Sequence, residues 1–281
     1  MRNDSEKAII VDGHVHIYDC FELPVLFDSA YRNFSEVARQ YSPGSLFTGV
    51  LMLTETRADQ WFEYLRAGTT RKDRKVARAT APWKIKLLCN SCSLLAIRDT
   101  GESLLLVAGR QITSSEGLEL LALATNNLFD DGKPLLKTLR DVRAQDAIPV
   151  IPWAVGKWLG HRGKILSDVI DDESDKELFL GDNGGRPIFW HNPSHFKQAR
   201  SAGMHVLPGS DPLPFAAEAY RVGSFGFMMS GTITAEQPVA DLKRLLRNKT
   251  TMFTAYGNLE RPLHFFSNQL RLRMNCFNKT V

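Results

Sequence analysis

Apolar residues fall in short runs separated by stretches with helical spacing, the alternation expected of βαβ units. The first run leads into Val11-Asp12-Gly13-His14-Val15-His16 and predicts a strand over residues 9–16. Phe34, Val37, Ala38 and Tyr41 share one face of a helix predicted over 27–41, which ends at Ser42-Pro43-Gly44. A strand over 46–54 and a helix over 58–67 follow. The pattern then changes: 83–98 and 103–111 are strand-like runs around the turn signal Asp99-Thr100-Gly101-Glu102, predicting a β-hairpin inserted at the edge or rim of the fold around residues 83–111.

Alternation resumes afterwards. Residues 118–125 suit strand or helix. Strands are predicted at 148–155, 177–182, 205–211 and 225–230, with helices at 134–145, 163–170, 194–202, 215–221 and 239–247. Seven or eight strands separated by helices imply an α/β fold with a parallel sheet. That number favours a closed or distorted TIM-barrel-like (β/α) barrel over an open sheet. No repeat, low-complexity segment or linker interrupts residues 1–281, so one domain is expected.

In such barrels the site lies where strands run into loops. His14 and His16 are two residues apart at a strand end, so their side chains point the same way. Other strand ends carry Glu55, the loop from Trp153 to Trp158 with Lys157, the loop from Asp182 to Arg186, and Pro208-Gly209-Ser210-Asp211-Pro212. Recurrence of ligand-capable residues at the same end of several strands weighs more than any one of them.

The strand ending in Asp12-Gly13-His14-Val15-His16, joined to Gly209-Ser210-Asp211-Pro212 about 195 residues later, resembles the amidohydrolase superfamily of metal-dependent hydrolases. It is more distantly similar to barrels of the polymerase-and-histidinol-phosphatase (PHP) type. The resemblance implies that His14, His16 and Asp211 ligate a divalent metal, zinc first, with manganese or iron as alternatives. It also implies that Asp211 takes a proton from the attacking water. Lys157, Asp182 and Arg186 are the candidate substrate-binding residues, the cations suited to gripping an anionic group. The chain departs from the family pattern in the middle strands: the one ending at Asp182 has no histidine, and His205 opens its strand instead of closing it. Glu55, Lys157 and Asp182 are candidates to complete the site. The expected activity is hydrolysis of a C–N, C–O or P–O bond in a small-molecule substrate; a barrel retained as a non-catalytic binding scaffold is the rival.

Composition narrows this little. The formal charge of +4 over 281 residues is weak evidence for a nucleic-acid role, and none is expected. The basic segment Arg71–Arg78 reads first as a solvated face, and a nucleic-acid-binding protein using it is the third reading after the hydrolase and the scaffold. The opening MRNDSEKAII is too polar for a secretory signal, and no run approaches the roughly 18 apolar residues of a membrane helix. A soluble, cytoplasmic protein without a membrane partner is expected. Cys89-Asn90-Ser91-Cys92 has knuckle spacing, but no second pair follows, so its cysteines are read as core or loop residues.

Overall fold

A computed structural model of the chain describes residues 7–41, 46–88 and 91–278. It begins with β1 (Lys7–Val15), α1 (Leu23–Tyr41), β2 (Phe47–Leu53), α2 (Trp61–Thr70) and α3 (Arg74–Thr80). Five strands follow without a helix: β3 (Lys84–Leu87), β4 (Ser93–Ile97), β5 (Ser103–Val107), β6 (Gly109–Thr113) and β7 (Glu119–Leu123). Helices and strands then alternate through α4 (Leu135–Ala144), β8 (Ile148–Pro152), α5 (Gly160–Asp172), β9 (Phe179–Asn183), α6 (Ser194–Ser201) and β10 (Val206–Gly209). β11 (Gly226–Gly231), α7 (Pro238–Arg247), β12 (Thr254–Tyr256) and α8 (Pro262–Asn278) come last.

The barrel expected from the sequence is not what forms. The strands make two mixed sheets, one in the order β12-β11-β1-β2-β5-β4-β3 and one in the order β10-β9-β8-β7-β6. Only two triplets are parallel, β1-β2-β5 and β8-β9-β10; the flanking strands run antiparallel to them. At one margin a single bridge, Glu55 to Arg110, joins β2 to the start of the second sheet. At the other, the Asp211 amide donates to the His14 carbonyl at 2.8 Å. Antiparallel strands can turn directly into one another, so counting them as barrel strands overcounts the βαβ units.

The expected hairpin is present as β4 and β5, with Gly101 in the left-handed region at its turn (φ 103°). It is no rim insertion, because β5 pairs in parallel with β2 inside the larger sheet. From β5 the chain crosses through Ala108 into β6. Gly109 permits the crossing, since a Cβ there would lie 2.4 Å from the Leu53 carbonyl oxygen.

Alternation along the strands builds the layers. Ile10, Leu51 and Leu106 face α1 and its neighbours, while Ile9, Val11 and Val50 face Leu121, Val150 and Leu207 of the second sheet. The far side of the second sheet carries Leu120 and Leu180 against α4, α5 and α6. Both faces of each sheet are therefore covered, which is why Ile9-Ile10-Val11 is a continuous apolar run, every residue fully buried. Among the described residues no helix is long and apolar enough to cross a membrane.

Candidate metal centre

Three side chains converge where β1 and β10 end. His14 and His16 point their Nε2 atoms at each other, 3.0 Å apart. An Asp211 oxygen, Oδ1, lies 3.5 Å from the first and 3.7 Å from the second. All three ligand atoms fall within 4.8 Å of one another. Donors bonded to one cation at about 2.0–2.2 Å stand roughly 3–3.7 Å apart, so this donor set fits a single divalent ion.

The surrounding backbone sets that geometry. Gly209 lets β10 come against β1, because a Cβ there would lie 2.2 Å from the His14 nitrogen. Asp211 then turns into the left-handed region (φ 47°), a conformation that costs a non-glycine residue energy and aims its carboxylate at the two imidazoles. Asp12, fully buried beneath them, accepts hydrogen bonds from the amides of Ser210 (2.7 Å), Gly223 (2.8 Å) and His14 (3.3 Å). It thereby ties the two ligand-bearing segments together.

Burial dominates the electrostatics. It pushes both imidazoles down to about 4, the His14 neighbour adding to the effect on His16. Both rings are thus neutral at pH 7, the form that binds metal. Burial pushes Asp211 up to about 6, opposed by His16 and by the Asn183 amide, which donates to Oδ2 at 2.9 Å. Asp12 is pushed up to about 7 by the same desolvation, against the pull of its hydrogen bonds.

His16 and Asp211 lie in the floor of a cleft of about 280 Å³, whose walls include Trp153, Lys157, Asn183, Glu119 and, from α8, Phe265 and Asn268. Lys157 donates to Glu119 at 2.5 Å, an ion pair on the cleft wall. Asp182 and Arg186 are elsewhere. Two parallel hydrogen bonds of 2.7 and 2.6 Å join them, and Arg186 also donates to the carbonyls of Trp190 and His191. Neither lines the cleft. Glu55 is occupied by Arg110 and the Phe62 amide. His205 stacks on Phe179 and lies edge-on to Phe253, at the far end of β10 from Asp211. Cys89 falls outside the described residues, while Cys92 is half-buried against the core.

Sequence reasoning passed over Asn183, Glu119 and Asp12. For Asn183 a signal existed: Phe179 faces the inter-sheet core and Leu180 the helices, so alternation turns Asn183 inward and Asp182 outward. Glu119 opens its strand, and because β7 runs antiparallel to β8, that opening sits at the end where β8 closes.

No family model and no curated protein matches the sequence. Solved structures do resemble the fold. PsfC from Pseudomonas syringae is 13% identical, with a TM-score of 0.51 over 98% of both chains. A two-domain Bacteroides vulgatus protein containing a predicted PHP-like metal-dependent phosphoesterase is 12% identical, with a TM-score of 0.43 over 90% of this chain and 65% of its own. The lesion-specific endonuclease PfuEndoQ from Pyrococcus furiosus is 9% identical, with a TM-score of 0.45 over 88% of this chain and 57% of its own. At these identities the likeness is one of fold. One of these structures is described as PHP-like, and the amidohydrolase superfamily expected from the motifs is not confirmed. The exclusion of nucleic acid also needs correction: an endonuclease stands among the similar structures, so a modest net charge does not remove nucleic acid from consideration.

Proposed function

We propose that the protein is a metal-dependent hydrolase acting on a C–N, C–O or P–O bond of a substrate held in the cleft. The observation that carries this reading is the convergence of His14, His16 and Asp211 donor atoms within 4.8 Å, with His16 and Asp211 lining the cleft. Two neutral imidazoles and a carboxylate suit zinc, and also manganese or iron. Such an ion, when bound, supplies a water of lowered pKa and polarises a substrate carbonyl or phosphoryl oxygen. Three protein donors leave a position open, the pattern of catalytic rather than structural sites.

The chain's own residues do the rest. Asp211 accepts the proton, its burial bringing its pKa towards the working pH, where general bases act best. Asn183 fixes the carboxylate by holding Oδ2, and it also donates to the Trp153 carbonyl at 2.8 Å. Lys157 and Glu119 present a paired charge to polar groups of the substrate. Trp153 and Phe265 give the cleft an apolar wall.

One feature favours a non-catalytic scaffold instead: His16 Nδ1 is buried with no hydrogen-bond partner among the described residues. Metal-bound imidazoles normally donate that N–H to an outer acceptor. Elemental analysis of protein purified without chelator or metal-affinity resin decides between the two. A hydrolase should carry about one equivalent of zinc, manganese or iron, and His14→Ala should lose most of it. Wild-type protein that arrives metal-free, and takes up none of the three when supplied, would sink the metal reading.

A further inference from the structure

Positive charge is concentrated in one place. Residues 71–86 hold seven basic side chains and one acidic, a net of +6 in a chain whose total is +4, so everything else nets −2. The segment runs from the turn that follows α2 through the whole of α3 and most of β3, the edge strand of the larger sheet. All seven cations are exposed. Lys84 pairs with Asp99, and Arg71, Lys72, Arg74, Lys75, Arg78 and Lys86 have no ion-pair partner among the described residues.

The local fold holds this charge in place. Asp73, the single acid, is spent capping α3, its carboxylate accepting from the Lys75 amide at 2.8 Å. Val76 and Thr80 pin the helix to the core, and Val76 packs against Gly68 of α2. Beside it opens a groove of about 550 Å³ whose lining includes Lys72, Arg74 and Lys84 together with Val76, Pro82 and Ile85. Asp73 and Asp99 line it too, both already engaged.

Lysines on an edge strand discourage strand-to-strand aggregation, which accounts for Lys84 and Lys86. It does not account for the five cations of 71–78, which lie off the strand. Six unneutralised charges repel one another, and a partner that brings negative charge relieves that repulsion.

We infer that this edge is a surface for a nucleic-acid backbone, separate from the metal centre and independent of its assignment. A concave groove edged by cations follows a narrow, flexible anionic chain, whereas a flat bilayer meets only the rim. The segment also lacks the row of exposed large apolar side chains with which an amphipathic element enters a membrane: Val76 and Trp83 are buried, and Leu87 at the end of β3 is exposed beside it. Contacts to phosphate release condensed counterions, so binding should be set by salt and little by sequence.

The test is fluorescence anisotropy with a labelled single-stranded DNA of mixed sequence, using the full chain. Five phosphate contacts predict a log–log salt slope of roughly −3.5, or about 100-fold weaker binding at 200 mM than at 50 mM salt. The variant Arg71→Gln, Lys72→Gln, Arg74→Gln, Lys75→Gln, Arg78→Gln should lose that dependence and most of the binding. Its melting temperature should stay near wild type, all five residues being exposed. Lys137→Gln with Arg140→Gln, exposed cations of α4, should bind as wild type does. Absence of binding at low salt, a flat salt response, or a five-site variant that binds like wild type overturns the inference. So does equal binding to polyglutamate or to vesicles containing phosphatidylserine, which would make the surface a site for acidic protein or membrane instead.

Discussion

Two polar clusters sit at strand ends of this fold and behave oppositely. At the end of β9, Asp182 and Arg186 meet in a bidentate pair, and the Arg186 Nη1 group donates to two carbonyls. Every strong group there has a partner within the chain. At the ends of β1 and β10, two imidazoles face each other and a carboxylate, with no cation of the protein to neutralise Asp211 by direct contact among the described residues. The first cluster is self-sufficient and holds a loop. The second gathers lone pairs and burial in one place, and on the reading proposed above it is completed by an ion from outside. Position at a strand end is common to both, so convergence of metal-capable donor atoms is the better mark of a candidate site.

Replacing the carboxylate tests the contrast hardest. Asp211→Asn preserves shape but removes the charge and the proton acceptor. If the protein is a hydrolase, turnover should fall by about 10²–10⁴-fold, the usual worth of general-base assistance. The assay is a panel of esters, amides, lactones and phosphate esters run with added metal on both proteins. A mutant that matches wild type on a substrate that wild type hydrolyses would remove Asp211 from the chemistry.

The self-sufficient cluster should answer to stability instead. Arg186→Met leaves the half-buried Asp182 without its counter-ion, and breaking such a pair costs about 3 kcal/mol. Chemical denaturation should show this loss while metal content stays at the wild-type level. A drop in bound metal as large as that of His14→Ala would mean that the loop is part of the centre after all.

The sequence carried more of the centre than of the fold. The pairing of His14 with His16 follows from strand periodicity alone, and Asp211 from the motif that ends the late strand. Asn183 lies one residue beyond Asp182, and the apolar residues Phe179 and Leu180 already reveal which of the two turns inward. Glu119 was hidden because strand direction is not written in local pattern: Leu118–Thr125 looks the same run either way. The barrel is over-read for the same reason, since β7 and β11 resemble parallel strands until their partners are known. α8 gave no helical stripe because it is apolar on two sides: Phe265 packs inward over the cleft while Leu263, Phe266 and Leu270 face out.

The smallest effect is the most diagnostic of the centre's electrostatics. A metal competes with protons for its ligands, so affinity falls wherever a ligand of the metal-free protein is protonated. The imidazoles, held at about 4, are already neutral throughout the range from pH 5 upward. Asp211, raised to about 6 by burial, still binds a proton at pH 5 and has lost it by pH 7. Binding should therefore release one proton below pH 6 and none above 7, and affinity should rise about tenfold per pH unit before levelling off. Isothermal titration with zinc or manganese at pH 5, 6, 7 and 8, in buffers of differing ionisation enthalpy, measures both quantities. Asp211→Asn should bind more weakly and with no pH dependence over this range. Release of two protons, with affinity still climbing through pH 6.5, would show that the histidines keep their ordinary basicity. Burial would then not be what prepares this cluster for a cation.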